Sequence, residues 1–165
     1  MPETYSIRLD KEHHVFSAAH FITFNGNVCE RLHGHNYRVA VELEAPLDEN
    51  EYVVDFIAVR DELRKLTDEL DHRMLLPLHH PLIHVQPDER EVLVTFEERR
   101  WIFPLGDCVL LPIANTTAEL LARYLAERLR AALGERLGFR PVRLRMLVDE
   151  NNGQWGIYDF DARQA

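Results

Sequence analysis

The residues best able to do chemistry lie in one short run, Cys29-Glu30-Arg31-Leu32-His33-Gly34-His35. Histidines two apart on a β-strand project from the same face. His33 and His35 share parity with Val39, Val41 and Leu43, so that face is the apolar one. Two imidazoles buried together need partners, because an unpaired polar group in apolar surroundings is costly. A metal ion would satisfy both, and so would ordinary hydrogen bonds; the spacing leaves both readings open. His20, at the end of a neighbouring strand, can supply a third nitrogen. Three protein ligands and one open position is the arrangement of catalytic rather than structural zinc. Cys29 lies four residues before His33, and a cation or imidazolium beside a thiol makes thiolate available as base or nucleophile. Cys108 reads as a small buried hydrophobe. Asp71-His72 offers an imidazole oriented by a carboxylate, or simply a histidine favoured by the dipole at a helix C-terminus.

These side chains need elements to position them. Tyr5, Ile7 and Leu9 alternate with polar residues and open a half-buried strand that continues through Val15 to His20. His33 to Glu44 alternates again, and the two segments suit an antiparallel hairpin. Phe56, Val59, Leu63, Leu66 and Leu70 form the stripe of an amphipathic helix with Asp55 at its N-cap, ending near Asp71-His72. Residues 73–113 are broken by five prolines. Val92-Val94-Phe96, a charged Glu97–Arg100 turn, and Trp101-Phe103 predict a hairpin there. Thr116-Thr117-Ala118-Glu119 fits a capping box, Leu121, Leu125, Leu129 and Leu133 follow at helical spacing, and Gly134 is the expected stop. Two strands close the chain, Val142–Val148 and Trp155–Phe160.

Composition bounds the function. A chain of 165 residues is one domain's worth and long enough for a real core. Its net charge of −9 argues against a nucleic-acid coat or an anionic-membrane binder. Two cysteines make neither a disulfide framework nor a four-cysteine zinc ribbon. No segment has the pattern of a targeting peptide and no apolar run approaches the roughly 20 residues of a membrane span, so a soluble cytoplasmic protein is expected. The seven arginines between Arg123 and Arg145 read as a solvated face or as a cation source for an anionic ligand. His79, His80 and His84 read as surface histidines beside prolines.

Six motifs in order resemble those of the 6-pyruvoyl-tetrahydropterin and 6-carboxy-tetrahydropterin synthase family. They are Phe16-Ser17-Ala18-Ala19-His20, Cys29-x-x-x-His33-Gly34-His35, Val54-Asp55-Phe56, Leu70-Asp71-His72, Asn115-Thr116-Thr117-Ala118-Glu119 and Val148-Asp149-Glu150. The resemblance implies that His20, His33 and His35 bind Zn2+, and that Cys29, Asp71 and His72 form a catalytic triad. It implies that Glu150 anchors the pterin, a carboxylate accepting its 2-amino and N3–H donors side by side, and that Thr117 lines the pterin pocket. It implies an α+β T-fold over 1–165: an antiparallel four-stranded sheet with two helices on one face, here with a hairpin inserted between the helices at about 73–113. Homotrimers or hexamers with sites between subunits would follow, acting on 7,8-dihydroneopterin triphosphate. Family products are 6-pyruvoyl-tetrahydropterin, 6-carboxy-tetrahydropterin for queuosine and related deazapurines, and 6-hydroxymethyl-dihydropterin for folate. Glu30 beside Cys29 resembles the dual-function variety, or is a polar loop residue. Asn151 and the Arg73-Met74-Leu75-Leu76 run depart from the family pattern.

Overall fold

The computed structural model describes residues 3–164. Its spine is β5 (His33–Ala45), a 13-residue strand. One edge of this strand takes two partners end to end. β2 (Val15–His20) pairs antiparallel with its first half, setting His20 opposite His33 and Ala18 opposite His35, and β1 (Tyr5–Leu9) pairs with its second half. The segment read as one strand through His20 is therefore two, broken by a turn at residues 10–14. On the other edge lie β11 (Arg143–Asp149) and then β12 (Trp155–Asp161), both antiparallel. The short strands β3 (Thr23–Phe24) and β4 (Val28–Cys29) form a small ribbon in the loop between β2 and β5.

The sheet is wider than the expected four antiparallel strands. β6 (Arg73–Pro77) joins β2 in parallel, and β10 (Cys108–Leu111) joins β6 in parallel, so among the described residues the main sheet is mixed and seven-stranded. The inserted hairpin is also larger. β7 (His84–Pro87), β8 (Glu91–Phe96) and β9 (Arg99–Pro104) make a separate antiparallel sheet, and Arg99 and Arg100 belong to β9 rather than to the turn.

Two helices are present among the described residues. α1 (Phe56–Leu70) begins as expected, with the Asp55 carboxylate accepting the Ile57 amide. Val59, Leu63, Leu66 and Leu70 are buried, but Phe56 is 50% exposed, because the first helical residue lies before the stripe reaches the sheet. α2 (Ala118–Leu137) is capped by Thr117, whose hydroxyl accepts the Leu120 amide; the expected cap Thr116 lies one residue outside. The helix runs through Gly134 and stops at Gly138, whose left-handed backbone (φ 67°) suits glycine. Gly156 of β12 passes so close beneath α2 that an added Cβ would lie 2.4 Å from the Ala118 carbonyl carbon.

Both helices pack on one side of the sheet over a core that includes Phe16, Ala18, Tyr37, Val39, Val41, Leu75, Leu111 and Leu144. The alternating residues of the extended edge face the other way. Ala19, Met74, Leu76 and Leu110 pack with Phe21, Ile83, Val92, Val94 and Phe96 into a second cluster under the β7–β9 sheet. Strands covered on both faces lose polar alternation, which explains the uniformly apolar Met74-Leu75-Leu76 run.

His14, in the turn before β2, is fully buried, and neither ring nitrogen has a hydrogen-bond partner among the described residues. Burial, with the neighbouring His13 adding to it, depresses its pKa to about 4. Unfolded, the same imidazole titrates near ~6.5. Between these values the unfolded chain binds more protons, so stability is present above about pH 6.5 and drains away as pH falls toward 4. Urea unfolding at pH 7 and pH 5 should show this loss, and His14→Phe should reduce it. An equal loss in the variant would assign the effect elsewhere.

Candidate functional site

Antiparallel pairing builds the centre of the site. Because His20 and His33 are register partners, and His35 lies two residues along the same face, three imidazoles meet at one spot. One donor nitrogen from each lies within 4.8 Å of the others. Ring centroids are 4.9 Å apart for His20 and His33, 4.8 Å for His33 and His35, and 5.2 Å for His20 and His35.

The second ring nitrogens of His20 and His33 are tied down. Nδ1 of buried His20 lies 2.9 Å from the Thr116 carbonyl, and Nδ1 of His33 lies 2.8 Å from the Arg31 carbonyl. A carbonyl only accepts, so each Nδ1 carries the proton and each Nε2 keeps its lone pair, the outer-shell arrangement that prepares histidine for a metal. Burial lowers the His20 pKa to about 4, which holds the ring neutral. The donor set fits the zinc expected from the sequence. Tyr37 floors the cluster, its hydroxyl 3.2 Å from His20 Nδ1, and burial raises its phenol pKa.

Glu150 joins the cluster from the end of β11. Its Oε1 is 3.5 Å from His20 Nε2 and 3.8 Å from His35 Nε2, and burial raises its pKa. The neighbouring Asp149 carboxylate accepts the amides of Asn151, Gly153 and Gln154 and so fixes this turn. Thr117 caps α2 one residue after the Thr116 carbonyl that holds His20.

Cys29 and Glu30 stand on the loop between β2 and β5. The Cys29 thiol is half-buried against the second core cluster and donates to the Glu30 carbonyl at 3.5 Å. Burial raises its pKa, against the lowering expected from a nearby cation; the positive charge of Arg99 opposes the rise. The Glu30 carboxylate reaches His33 Nε2 at 3.8 Å and also accepts the Ile22 amide at 3.1 Å. It is thus both a loop clamp and a neighbour of the histidines.

Asp71 and His72 form a pair of their own at the end of α1. Asp71 accepts the Ser17 amide at 2.8 Å and lies 2.8 Å from His72 Nδ1. That Ser17 hydrogen bond, more than the imidazole, holds the carboxyl below its ordinary range. The pairing directs His72 Nε2 outward, and the His72 side chain is 82% exposed. His72 has a left-handed backbone (φ 58°), an uncommon conformation outside glycine that turns the chain from helix into β6. Ser17 precedes His20 by three strand residues, about 10 Å at ordinary rise. Among the described residues no hydrogen bond or ion pair joins Asp71 or His72 to the three histidines.

Tyr37 and Arg99 lie outside the sequence reading, and Thr116 contributes in a way other than the expected cap. Thr116 acts through its carbonyl, Tyr37 has the alternation of a core residue, and Arg99 reaches the loop from about 70 residues away, with guanidinium bonds to the Cys29 and Glu30 carbonyls. The arginines near α2 mostly turn to carboxylates: Arg123 to Glu127, Arg128 to Glu69, Arg136 to Glu62, and Arg143 and Arg145 to Asp159.

Residues 8–160 match the family described as 6-pyruvoyl tetrahydropterin synthase. A Methanocaldococcus jannaschii protein named "Putative 6-carboxy-5,6,7,8-tetrahydropterin synthase" is 33% identical over 145 residues, 87% of this chain and 88% of that one. The Aquifex aeolicus 6-carboxy-5,6,7,8-tetrahydropterin synthase is 32% identical over 66% of this chain and 65% of its own length. The crystal structure of Plasmodium vivax 6-pyruvoyl tetrahydropterin synthase superimposes with a TM-score of 0.88 at 27% identity, covering 96% of this chain and 99% of that one. A variant of that enzyme, with alanine replacing a glutamate named as a catalytic residue, matches at 0.87 and 26% identity over the same shares. With its family motifs folded around three converging imidazoles, the chain belongs to the 6-pyruvoyl tetrahydropterin synthase family.

Proposed function

We propose that this chain is a zinc-dependent pterin synthase that converts 7,8-dihydroneopterin triphosphate to 6-carboxy-5,6,7,8-tetrahydropterin in the cytoplasm, on the route to queuosine and related deazapurines. The observation that carries the reading is the convergence of His20, His33 and His35, with the outer nitrogens of His20 and His33 fixed by carbonyls and Glu150 alongside. Relatives named 6-carboxy-5,6,7,8-tetrahydropterin synthase support this product.

His20, His33 and His35 would hold the zinc, which would supply Lewis acidity to the side-chain hydroxyls of the substrate. Glu150 accepts the 2-amino and N3–H donors of the pterin, and Thr117 borders that pocket. Cys29 takes a proton from the substrate side chain. The Asp71–His72 pair exchanges protons at His72 Nε2, since Nδ1 is committed to the carboxylate. The placement of that pair, away from the histidines and open to solvent, supports a homotrimer or hexamer in which it completes a neighbouring subunit's site. The triphosphate would then be met by cations at the junction, since the chain itself is net negative.

A second reading has a specific observation behind it. Glu30 lies at the histidine cluster, and a structural neighbour uses a glutamate named as catalytic. On this reading the carboxylate also acts as a base, and 6-hydroxymethyl-7,8-dihydropterin forms as a second product. Incubation of zinc-loaded protein with 7,8-dihydroneopterin triphosphate, read by chromatography, tests both. Cys29→Ala is expected to lower the 6-carboxy product by roughly 100-fold or more. Glu30→Ala should remove the 6-hydroxymethyl product selectively. Unchanged products in Glu30→Ala would sink the second reading, and an inert wild type with zinc bound would leave a pterin-binding protein instead of an enzyme.

A further inference from the structure

Arg99, on β9 of the inserted sheet, spends its charge on backbone. Its Nη1 donates to the Cys29 carbonyl and its Nη2 to the Glu30 carbonyl, each at 3.0 Å. Among the described residues it has no carboxylate partner within ion-pair distance. The guanidinium lies over the Trp101 ring at 4.7 Å, and Trp101 stacks on Phe21 at 4.5 Å with planes 23° apart. Phe21 directly follows His20, so the same inserted sheet is braced against a metal-facing histidine and against the Cys29–Glu30 loop.

The geometry of this grip is selective. The two carbonyls belong to the peptide planes on either side of the Glu30 Cα. Peptide planes are rigid, so holding both fixes the two backbone dihedrals between them. Those dihedrals aim the Glu30 side chain and set its direction relative to Cys29. A planar guanidinium presents two parallel donors, whereas an ammonium is a point donor. Arg99 also opposes the rise that burial imposes on the Cys29 thiol.

We infer that Arg99 is a positioning residue for the reaction, setting how Cys29 and Glu30 are presented to substrate and hence how turnover divides between them. The inference rests on the proposed pterin synthase reading. It gives the inserted sheet a role in product choice, although none of its own side chains need touch the pterin.

The test compares wild type, Arg99→Ala and Arg99→Lys, each zinc-loaded, with 7,8-dihydroneopterin triphosphate. Misplacement of about 1 Å costs up to roughly 100-fold in rate, so Arg99→Ala should lower kcat by roughly 10- to 100-fold. KM, zinc content and melting temperature should stay near wild type, and the product ratio should shift. Arg99→Lys, which keeps the charge without the fork, should fall between. Wild-type kcat and product ratio in Arg99→Ala would overturn the proposal. So would full recovery in Arg99→Lys, or a loss of kcat that tracks loss of zinc or of fold. A second arm needs no turnover. In a Cys108→Ser background, Arg99→Ala should change the rate of Cys29 alkylation by iodoacetamide about threefold or more, because thiol reactivity follows its surroundings. An inert wild type would overturn the proposed reaction, and alkylation alone would then decide Arg99: a changed rate supports the grip and an unchanged one refutes it.

Discussion

His33→Ala is expected to abolish turnover and to weaken zinc binding by more than roughly 100-fold, since loss of an outer-shell partner alone costs roughly 10- to 100-fold. Three imidazoles converge there, Tyr37 is held protonated by burial, the Glu30 carboxylate is engaged by the Ile22 amide, and the role proposed for Glu150 is on the pterin. His33 suits the test better than His20. His20 is buried, and its removal would strand the Thr116 carbonyl inside the core. His33 is more than one-third exposed, and its Nδ1 binds only the local Arg31 carbonyl. The metal-free variant should therefore melt close to the metal-free wild type. Elemental analysis after gel filtration reads the zinc, and a full complement in His33→Ala would remove the metal centre from the proposed function.

The second large effect is structural. Gly156→Ala places a methyl carbon 2.4 Å from the Ala118 carbonyl carbon and 2.5 Å from the Glu119 nitrogen. Both are backbone atoms, so no rotamer change relieves the overlap. Either β12 or the first turn of α2 must move. Overpacking in a well-filled interior costs about 1–3 kcal/mol or more, and about 3 kcal/mol in a chain of this size corresponds to a melting temperature lower by roughly 6–12 °C. Movement of α2 also shifts Thr116, whose carbonyl orients His20, so zinc affinity should fall with stability. Thermal unfolding and zinc titration of the same preparation read both. Unchanged melting would mean that the two elements separate without cost.

Much of this was legible in the residues, for reasons that differ by element. β5 alternates because one face is apolar, and α1 shows its stripe because one side meets the sheet. The metal triad was legible because His33 and His35 share a strand face and His20 ends the strand beside it. The breadth of the sheet was not. β6 and β10 are covered on both faces, so Met74-Leu75-Leu76 and Val109-Leu110-Leu111 carry no period that separates strand from anything else. The stop of α2 was misplaced because Gly134 is a glycine a helix tolerates, whereas Gly138 is the one whose backbone turns left-handed. The roles of Thr116, Tyr37 and Arg99 at the site were missed for a common reason. Each acts through a carbonyl, a packing floor or a distant backbone, and none of these leaves a local spacing.

The register of β2 against β5 has a consequence for how such a protein diversifies. His20 and His33 stand opposite each other at the two ends of the loop that carries Cys29 and Glu30. The candidate metal site is written in strand pairing, where a one-residue slip of β2 against β5 would turn His20 away from the face that carries His33 and His35. Cys29 and Glu30, the groups proposed to move protons, stand in the loop between, where substitution disturbs no pairing of the main sheet. Heritable change can thus exchange a thiol for a carboxylate, or keep both, while the ligands stay where they are. Under the proposed function, a change of product would arise in residues 21–32, and loss of the activity altogether would arise in the two strands that bracket them.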